Sequence, residues 1–315
     1  MVAALGGALQ QTLKEVFEPF EKQYSVTIRW VPVGSSVENV ARAAATRQKP
    51  EFDLVIGENQ SHYTGSVQGL WAPIDEKIVT NYKDQLPMAR VPSNDVVNFG
   101  FYVAGVFYAY KEFEKRGWTA PTHWSDLFRK EFCGRVGINN VSVSYGLYTL
   151  IMISDADPAK VPDGVAKLAA NKSCIPVLEP TPAKLEEKIL LGDYLIGVHG
   201  SVRAIPLIKK GTPIKFRIPD EGTVIASSSV SAVKDSPNPR MAQEFLNWIL
   251  RPDVQAQLMQ KAFYSPTNRN VKVPPELVEL GVPDAAVLQR SLRLDEKVVD
   301  SNRRQWIRQV ERAME

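Results

Sequence analysis

The sequence predicts an α/β protein built from two lobes, and two observations carry this prediction. The chain has 315 residues, of which 44% are hydrophobic and 23% charged. This composition is globular, and the length exceeds what one ordinary core holds. The first 75 residues alternate between strand-like and helix-like stretches in the order βαβαβ. That order is typical of a parallel sheet with helices on both faces.

The amino-terminal elements follow from the spacing of apolar residues. Strands are expected where apolar and β-branched residues alternate or run together, and helices where they recur every three or four positions. These rules predict strands at 2–5, 26–31 and 52–56 and helices at 9–20 and 37–47. Ser36 is the predicted N-cap of the second helix. Gly57, Glu58 and Asn59 form the predicted exit loop of the third strand.

The remainder of the chain continues the alternation. The apolar run 99–110 predicts one or two strands that carry the chain between lobes. Further strands are predicted at 134–138, 194–198, 214–218 and 223–233, and helices from 147, at 239–250, from 252 and from 295. The last of these helices places Val299, Trp306 and Val310 on one side.

Charge and cysteine content exclude some classes of protein and leave others open. The net charge of +3 comes without a long basic run, which argues against a nucleic-acid or membrane partner. The amino terminus lacks a basic region and a cleavage motif. It fits a cytosolic protein or a chain that begins at its mature sequence. Cys133 and Cys174 fit either one disulfide in an oxidising compartment or two separate buried thiols.

A series of motifs extends along nearly the whole chain. They are FEPFEKQYSVTIRWVPVGSS (17–36), FDLVIGEN (52–59), APTHWSDLFRKEFCGRVGI (120–138), VSYG (143–146), LLGDYLIGV (190–198), PDEG (219–222), NPRMAQEFLNWILRPDVQAQL (238–258) and YSPTNRNV (264–271). In order and spacing, the series resembles type 2 solute-binding proteins of bacterial ABC importers. The resemblance is to the branch that holds ferric-ion, polyamine, thiamine and phosphorylated-solute binders.

The resemblance implies the type 2 periplasmic binding fold, in which two α/β lobes with mainly parallel sheets hold a solute in the cleft between them. Residues 1–103 and 224–264 would form lobe 1, and residues 104–223 and 265–315 lobe 2. The lobes would close around the solute by a hinge motion. The resemblance also implies a periplasmic monomer that delivers its solute to an inner-membrane ABC permease and needs no cofactor or metal.

The candidate binding residues come from loops that follow predicted strands, because ligands of α/β sheets lie beyond the carboxyl ends of strands. Helix N-termini in such loops attract anions. The candidates are Gly7, Ser35, Ser36, Glu58, Asn59, Ser142, Ser144, Tyr145, His199, Ser201, Arg203 and Glu221.

Each candidate also has an ordinary structural alternative. Serine and glycine cap helices and form turns, and a histidine after a strand is often a structural hydrogen-bonding residue. Arg203 has the geometry to clamp a carboxylate or phosphate, or to pair with Glu221. Glu221, in the PDEG turn, either accepts hydrogen bonds from a solute or locks the second crossover.

Family features that this chain lacks narrow the choice of solute class. Ferric binders of this group usually present adjacent tyrosines where this chain has His199 and Gly200. Polyamine binders place an aspartate and tryptophans where this chain has the sequence IASSS at 225–229. The remaining groups are mostly donors, which suit an anion. A phosphate or phosphonate ester is therefore the first expectation, and a carboxylate such as an amino acid the second.

The leading hypothesis is accordingly a receptor for a small anionic or zwitterionic organic solute. One alternative is ferric ion held by Tyr102, Tyr145 and His199 with a bound anion, and another is a sensor that feeds a membrane kinase. An enzyme is disfavoured, because the chain has no GxSxG, HExxH, P-loop or GxGxxG motif. The exact solute, the permease and the state of the cysteines stay open.

Overall fold

The structure is a computed structural model that describes residues 1–5, 8–33, 35–175 and 177–315. Two compact units form within it. Unit 1 consists of Met1–Tyr102 and Ala226–Pro274, and unit 2 of Val103–Ile225 and Pro275–Glu315. The chain therefore passes from one unit to the other three times.

Strands and helices alternate along the described chain. The strands are β1 (Val2–Leu5), β2 (Trp30–Val33), β3 (Leu54–Glu58), β4 (Val97–Tyr108), β5 (Val136–Gly137), β6 (Ile196–Gly200), β7 (Lys215–Arg217) and β8 (Ile225–Ala232). The first helices are α1 (Ala8–Tyr24), α2 (Ser36–Ala45), α3 (Asn59–Val67), α4 (Tyr110–Arg116), α5 (Ser144–Ile153), α6 (Val161–Ala170) and α7 (Pro182–Leu190). They are followed by α8 (Ser201–Lys209), α9 (Pro239–Ile249), α10 (Pro252–Ala262), α11 (Pro275–Leu280), α12 (Ala285–Arg290) and α13 (Glu296–Met314). The predicted α/β class is confirmed.

The sheet of unit 1 has β1 parallel to both β2 and β3. β8 runs antiparallel to β3 and lies next to β4. The apolar stripe predicted on the first helix is buried, and the rings of Phe17 and Phe245 stack with their centroids 3.9 Å apart. The apolar stripe of α1 thus packs against α9.

The sheet of unit 2 is mixed rather than mainly parallel. β5 and β6 are parallel, with Gly137 opposite Gly197. The crossover strand β4 runs antiparallel to β6 and to β7. The crossover strand thus contributes the antiparallel pairs, and the parallel β5–β6 pair sets the edge at which α5 and α8 begin.

Two further features stabilise unit 2. Cys133 and Cys174 form a disulfide with their Cα atoms 4.2 Å apart, which settles the alternative left open by the sequence. Closing a loop of this length stabilises the fold by about 4 kcal/mol. Helix α13 lies against α6 and buries Val299, Trp306 and Val310, as predicted. None of the helices in the described ranges is long and apolar enough to cross a membrane.

Several predicted boundaries shift. The strand predicted at 26–31 begins only at Trp30, because the Val26 and Ile28 amides donate to the backbone oxygen and the carboxylate of Glu21. The cap of α2 is Ser35, whose hydroxyl accepts from the Glu38 amide at 3.1 Å, and not Ser36. Gly57 and Glu58 belong to β3 rather than to a loop.

The segment 265–274, which the sequence assigned to lobe 2, lies in unit 1. Ser265 pairs antiparallel with Phe101 of β4. The side chain of Gln255 accepts from the Thr267 amide at 2.8 Å and donates to the Phe99 carbonyl at 2.7 Å. This buried network holds the segment 265–274 within unit 1.

Candidate functional site

Five candidates of unit 2 lie at the carboxyl ends of β5 and β6, namely Ser144, Tyr145, His199, Ser201 and Arg203. All five residues of β6 are buried, and α8 begins directly after it at Ser201. The sequence predicted an open loop here, but Arg203 lies on the first turn of a helix. Helix α5, which follows β5, begins at Ser144 rather than at 147. Two helix N-termini therefore follow this pair of parallel strands.

One carboxylate organises these residues. Glu186, on α7, accepts from Arg203 Nε at 2.6 Å and lies 3.0 Å from His199 Nε2, and both contacts reach its Oε1 atom. The His199 side chain is fully buried, whereas that of Arg203 is 40% exposed. We call Glu186, His199 and Arg203 the Glu186 cluster. It ties α7 to the end of β6 and to the start of α8.

Burial and hydrogen bonding set the protonation states of the Glu186 cluster. Burial lowers the pKa of His199, and the Glu186 carboxylate opposes this effect only in part. Burial of Glu186 acts to raise its pKa, but the hydrogen bonds from His199 and Arg203 outweigh it, so the pKa is lowered. At neutral pH the cluster therefore contains a neutral imidazole, a guanidinium and a carboxylate. Nε2 of His199 carries the proton and donates to Glu186, while Nδ1 is buried without a hydrogen-bond partner.

The ring of Tyr145 packs against the end of β6. Its centroid lies 5.4 Å from that of His199 in an edge-to-face arrangement. A Cβ atom at Gly200 would lie 2.4 Å from the Tyr145 ring, so this position needs glycine for close approach. Next along the chain, the buried Ser201 hydroxyl accepts from the Val103 amide at 3.3 Å. Tyr145, His199 and Ser201 thus lie close together at the end of β6.

The candidates of unit 1 meet where β3 ends and α2 and α3 begin. The Ser36 hydroxyl accepts from the Glu58 amide at 3.1 Å. The Glu58 carboxylate accepts from the Tyr102 hydroxyl at 3.3 Å. Asn59 is buried as the first residue of α3. Ser36, Glu58 and Asn59 are therefore neighbours, whereas the Ser35 hydroxyl serves as the cap of α2.

The remaining candidates lie apart from the Glu186 cluster or outside the described residues. Ser142 is exposed, and its carbonyl accepts from Arg303 at 2.7 Å. Glu221 accepts from the Trp124 amide at 3.2 Å and lies 3.2 Å from His123 Nδ1. These contacts fit the alternative in which Glu221 locks the second crossover. Gly7 lies outside the described residues.

The site differs from its sequence prediction in two respects. The pair proposed between Arg203 and Glu221 does not form; Arg203 instead pairs with Glu186. Sequence reasoning missed Glu186, because it stands among the charged residues of an amphipathic helix and resembles its solvated neighbours. The available signal was its position on the helix that precedes β6.

A surface pocket of 310 Å³ in unit 2 lies elsewhere, at the amino ends of β5 and β6. Of the groups lining it, Arg135 donates to the Asp193 carbonyl at 2.6 Å and Lys188 pairs with the Asp193 carboxylate at 3.1 Å. None of the predicted site residues lines it. Within the described ranges, no three His, Cys, Asp or Glu side chains are grouped so that they could hold a metal.

Comparison with known proteins identifies the family. Residues 15–280 match the family described as bacterial extracellular solute-binding protein. The γ-aminobutyric acid-binding protein of Pseudomonas aeruginosa is 23% identical over 303 residues, which cover 90% of this chain and 81% of that protein. The spermidine/putrescine-binding periplasmic protein of Escherichia coli is 22% identical over 264 residues, covering 80% and 74%.

The fold has close counterparts among solved structures. A putative extracellular solute-binding protein from Bordetella parapertussis superposes with a TM-score of 0.84 at 20% identity, over 100% of this chain and 98% of that one. The predicted fold and the predicted resemblance are both confirmed. The relatives are binding proteins of ABC transporters and not enzymes, in agreement with the sequence analysis.

Proposed function

Because the chain belongs to the bacterial extracellular solute-binding protein family, we propose that it captures a small anionic or zwitterionic organic solute and delivers it to an ABC permease. Solute-binding proteins of ABC importers carry small ligands to a permease, and the periplasmic relatives make the periplasm the proposed location. The hinge closure and the monomeric state expected from the resemblance stay predictions.

One observation carries the anionic part of the proposal. Arg203 stands on the first turn of α8, at the carboxyl end of β6, and its guanidinium is oriented by Glu186. The N-terminus of α5 follows the neighbouring strand β5. A guanidinium and two helix N-termini at one sheet edge are a favourable environment for a carboxylate or a phosphate.

The zwitterionic part of the proposal rests on Glu58 in unit 1. Glu58 ends β3 and becomes the N-cap residue of α3, and its carboxylate bonds the Tyr102 hydroxyl. A carboxylate at this position suits an ammonium or hydroxyl group of a solute. The two relatives named above bind γ-aminobutyric acid and polyamines. Both of those solutes carry ammonium groups, and γ-aminobutyric acid also carries a carboxylate.

A polyamine is the second candidate, because of the spermidine/putrescine-binding relative. The structure adds one fact to the sequence argument against it. The segment 225–229 lies at the start of β8. There the Ser229 hydroxyl donates a hydrogen bond to Asn98 Oδ1 at 2.5 Å. No acid in that segment is present to pair with a solute ammonium group.

The test is a thermal-shift screen of protein that has been unfolded and refolded to remove carried-over ligand. The compounds are sugar phosphates, aminoalkylphosphonates, amino acids including γ-aminobutyrate, polyamines and ferric citrate. A ligand at one hundred times its dissociation constant stabilises the fold by about 2.7 kcal/mol, a readily measured shift.

The variants Arg203→Ala and Glu58→Gln test the anionic part and the zwitterionic part of the proposal separately. We expect a hit among the phosphates, phosphonates or carboxylates that is lost in Arg203→Ala. Loss of affinity in Glu58→Gln only for compounds with an ammonium group supports a zwitterion. A shift with spermidine alone or with ferric citrate alone contradicts the proposal, as does a carboxylate hit that Arg203→Ala leaves unchanged.

A further inference from the structure

We infer that unit 2 carries a second ligand site, in the surface pocket at the amino ends of β5 and β6, and that this site binds a small amphipathic carboxylate. The inference goes beyond the proposed function and does not depend on it. His199 and Arg203 lie at the opposite, carboxyl end of β6. Because a strand rises about 3.3 Å per residue, the two ends of β6 are about 13 Å apart.

The hydrogen-bond donors of the pocket come from Arg135 and Lys188. Arg135 donates from Nε to the Asp193 carbonyl at 2.6 Å and from Nη2 to the Gly192 carbonyl. Both acceptors are neutral, and among the described residues the guanidinium has no carboxylate partner. Since a guanidinium has five N–H groups, the edge formed by its two Nη atoms keeps the parallel pair of donors that a carboxylate binds.

The charges that line the pocket also favour an anion. Lys188 pairs with the Asp193 carboxylate at 3.1 Å, and Arg135 adds one further positive charge to this neutral pair. The buried Glu179 carboxylate accepts from the Tyr194 hydroxyl and does not itself line the pocket. A ligand with a single carboxylate would therefore neutralise the charge of the lining.

Apolar surface lies beside these donors. The lining includes the buried Val136, the 52% exposed Val177 and the ring of Tyr194, which packs against the hydrophobic core of unit 2. Leu191 is 67% exposed and stands one helical turn after Lys188, on the same side of α7. Exposed apolar side chains grouped beside a concave site are typical of binding surfaces. The ligand that fits has a carboxylate at one end and an apolar or aromatic body.

The walls of the pocket are held in place without a ligand. Gly134 follows Cys133, and its amide donates to the Cys174 carbonyl at 2.9 Å, next to the disulfide between these cysteines. The Leu195 amide donates to the Arg135 carbonyl at 2.8 Å. Little ordering is therefore needed on binding, and the volume of 310 Å³ falls at the lower end of the range for small-molecule sites.

The experiment titrates the isotope-labelled full chain with three probes that share one ring and differ in charge: phenylacetate, the neutral phenylacetamide and the cationic 2-phenylethylamine. Nuclear magnetic resonance follows the backbone amides of Arg135, Val136, Val177 and Tyr194. We expect phenylacetate to shift these signals with a dissociation constant of about 1 mM or tighter. The amide and the amine should bind at least about tenfold more weakly.

Two substitutions test the two parts of the site, and a third is the control. Arg135→Lys keeps the charge and loses the paired N–H edge, so phenylacetate should bind about tenfold more weakly. Val177→Glu places a negative charge on an exposed part of the wall and should weaken phenylacetate by at least about tenfold. Val67→Glu makes the same change at a 70% exposed side chain in unit 1 and should leave the affinity within about twofold.

Four outcomes would overturn the inference. They are no saturable binding of phenylacetate at about 10 mM, equal affinity for the three probes, unchanged affinity in Val177→Glu, and shifts confined to residues at the carboxyl ends of β5 and β6. The last outcome would place the probe in the proposed solute site instead. The proposed function is tested with other variants, so the two can fail separately.

Discussion

The two fully buried histidines, one in each unit, show how a single partner changes the chemistry of a buried imidazole. His62, on α3 of unit 1, has Nδ1 2.9 Å from the Ser231 hydroxyl, and burial lowers its pKa to about 3. His199, in unit 2, contacts the Glu186 carboxylate, which opposes part of the same lowering of the pKa. Both side chains are equally inaccessible.

The comparison separates a structural histidine from one in a candidate site. A hydroxyl partner satisfies one ring nitrogen and adds no charge, so His62 is simply a neutral part of the core. A carboxylate partner links His199 to Arg203, and the imidazole becomes one member of a charged cluster at a sheet edge. The predictions below test this difference, from the largest expected effect to the smallest.

Removing the carboxylate of Glu186 is expected to have the largest effect on stability. Glu186→Ala leaves the fully buried His199 and the half-exposed Arg203 without their common acceptor. Loss of the buried hydrogen bond, with the exposed ion pair discounted for solvent screening, costs about 2 to 3 kcal/mol. Urea unfolding at pH 7 measures the loss. A loss below about 1 kcal/mol would mean that the pair behaves like a surface salt bridge.

Acidification is expected to have the next largest effect, through His62. Its folded pKa of about 3 lies below the ordinary value of 6.5, so its stabilising contribution is complete above pH 6.5 and declines as the pH falls. The decline amounts to about 1.4 kcal/mol per pH unit, or about 2 kcal/mol by pH 5.

Urea unfolding at pH 7, 6 and 5 of the wild type and of His62→Gln measures this decline. The variant should lose the part that is due to His62 and keep the part that is due to His199, whose pKa is also lowered. An equal slope in both proteins would assign the proton uptake elsewhere. Glu186 has a lowered pKa, so its contribution is present above its ordinary value of 4.5 and is lost only at lower pH. The two effects therefore occupy different pH windows.

Removing the neutral partner of His62 is expected to cost less than removing Glu186. Ser231→Ala takes away the hydroxyl at 2.9 Å and leaves a buried ring nitrogen unpaired, which costs about 1 to 2 kcal/mol. Thermal unfolding is the measurement, and the affinity for any compound that the thermal-shift screen identifies should be unchanged. A change of solute affinity in Ser231→Ala would show that the two histidines are not independent.

The smallest effect is expected for Glu187→Gln. The ion pair with Lys184 is exposed on both sides, and such pairs contribute at most about 1 kcal/mol. We expect a change of less than about 0.5 kcal/mol in urea unfolding. A larger loss would mean that α7 is stabilised by its surface charges.

Much of the fold could be predicted because its elements depend on local pattern. The stripe on α1 and the face of α13 that carries Trp306 are buried as expected. The strand β2 began later than predicted, since its alternating residues continue back to Val26 while pairing with β1 begins only at Trp30. Local propensity cannot distinguish paired from unpaired extended chain.

The candidate site was predicted less completely. The predicted end of a strand suggested His199, Ser201 and Arg203 as candidates, because these residues follow a recognisable buried strand. Glu186 was missed, since its role depends on a contact across 17 residues of sequence with Arg203. The pairing of Cys133 with Cys174 was likewise left open, because two cysteines 41 residues apart carry no geometric information by themselves.

The sequence by itself determined the α/β class, the alternation of strands and helices, and the family to which the motifs belong. These follow from periodicity and motif order, which are properties of neighbouring residues. The tertiary structure alone decided which carboxylate orients Arg203, which histidine lies beside it, and which unit holds the segment 265–274. These depend on distances between residues far apart in the chain, and packing within each unit sets those distances.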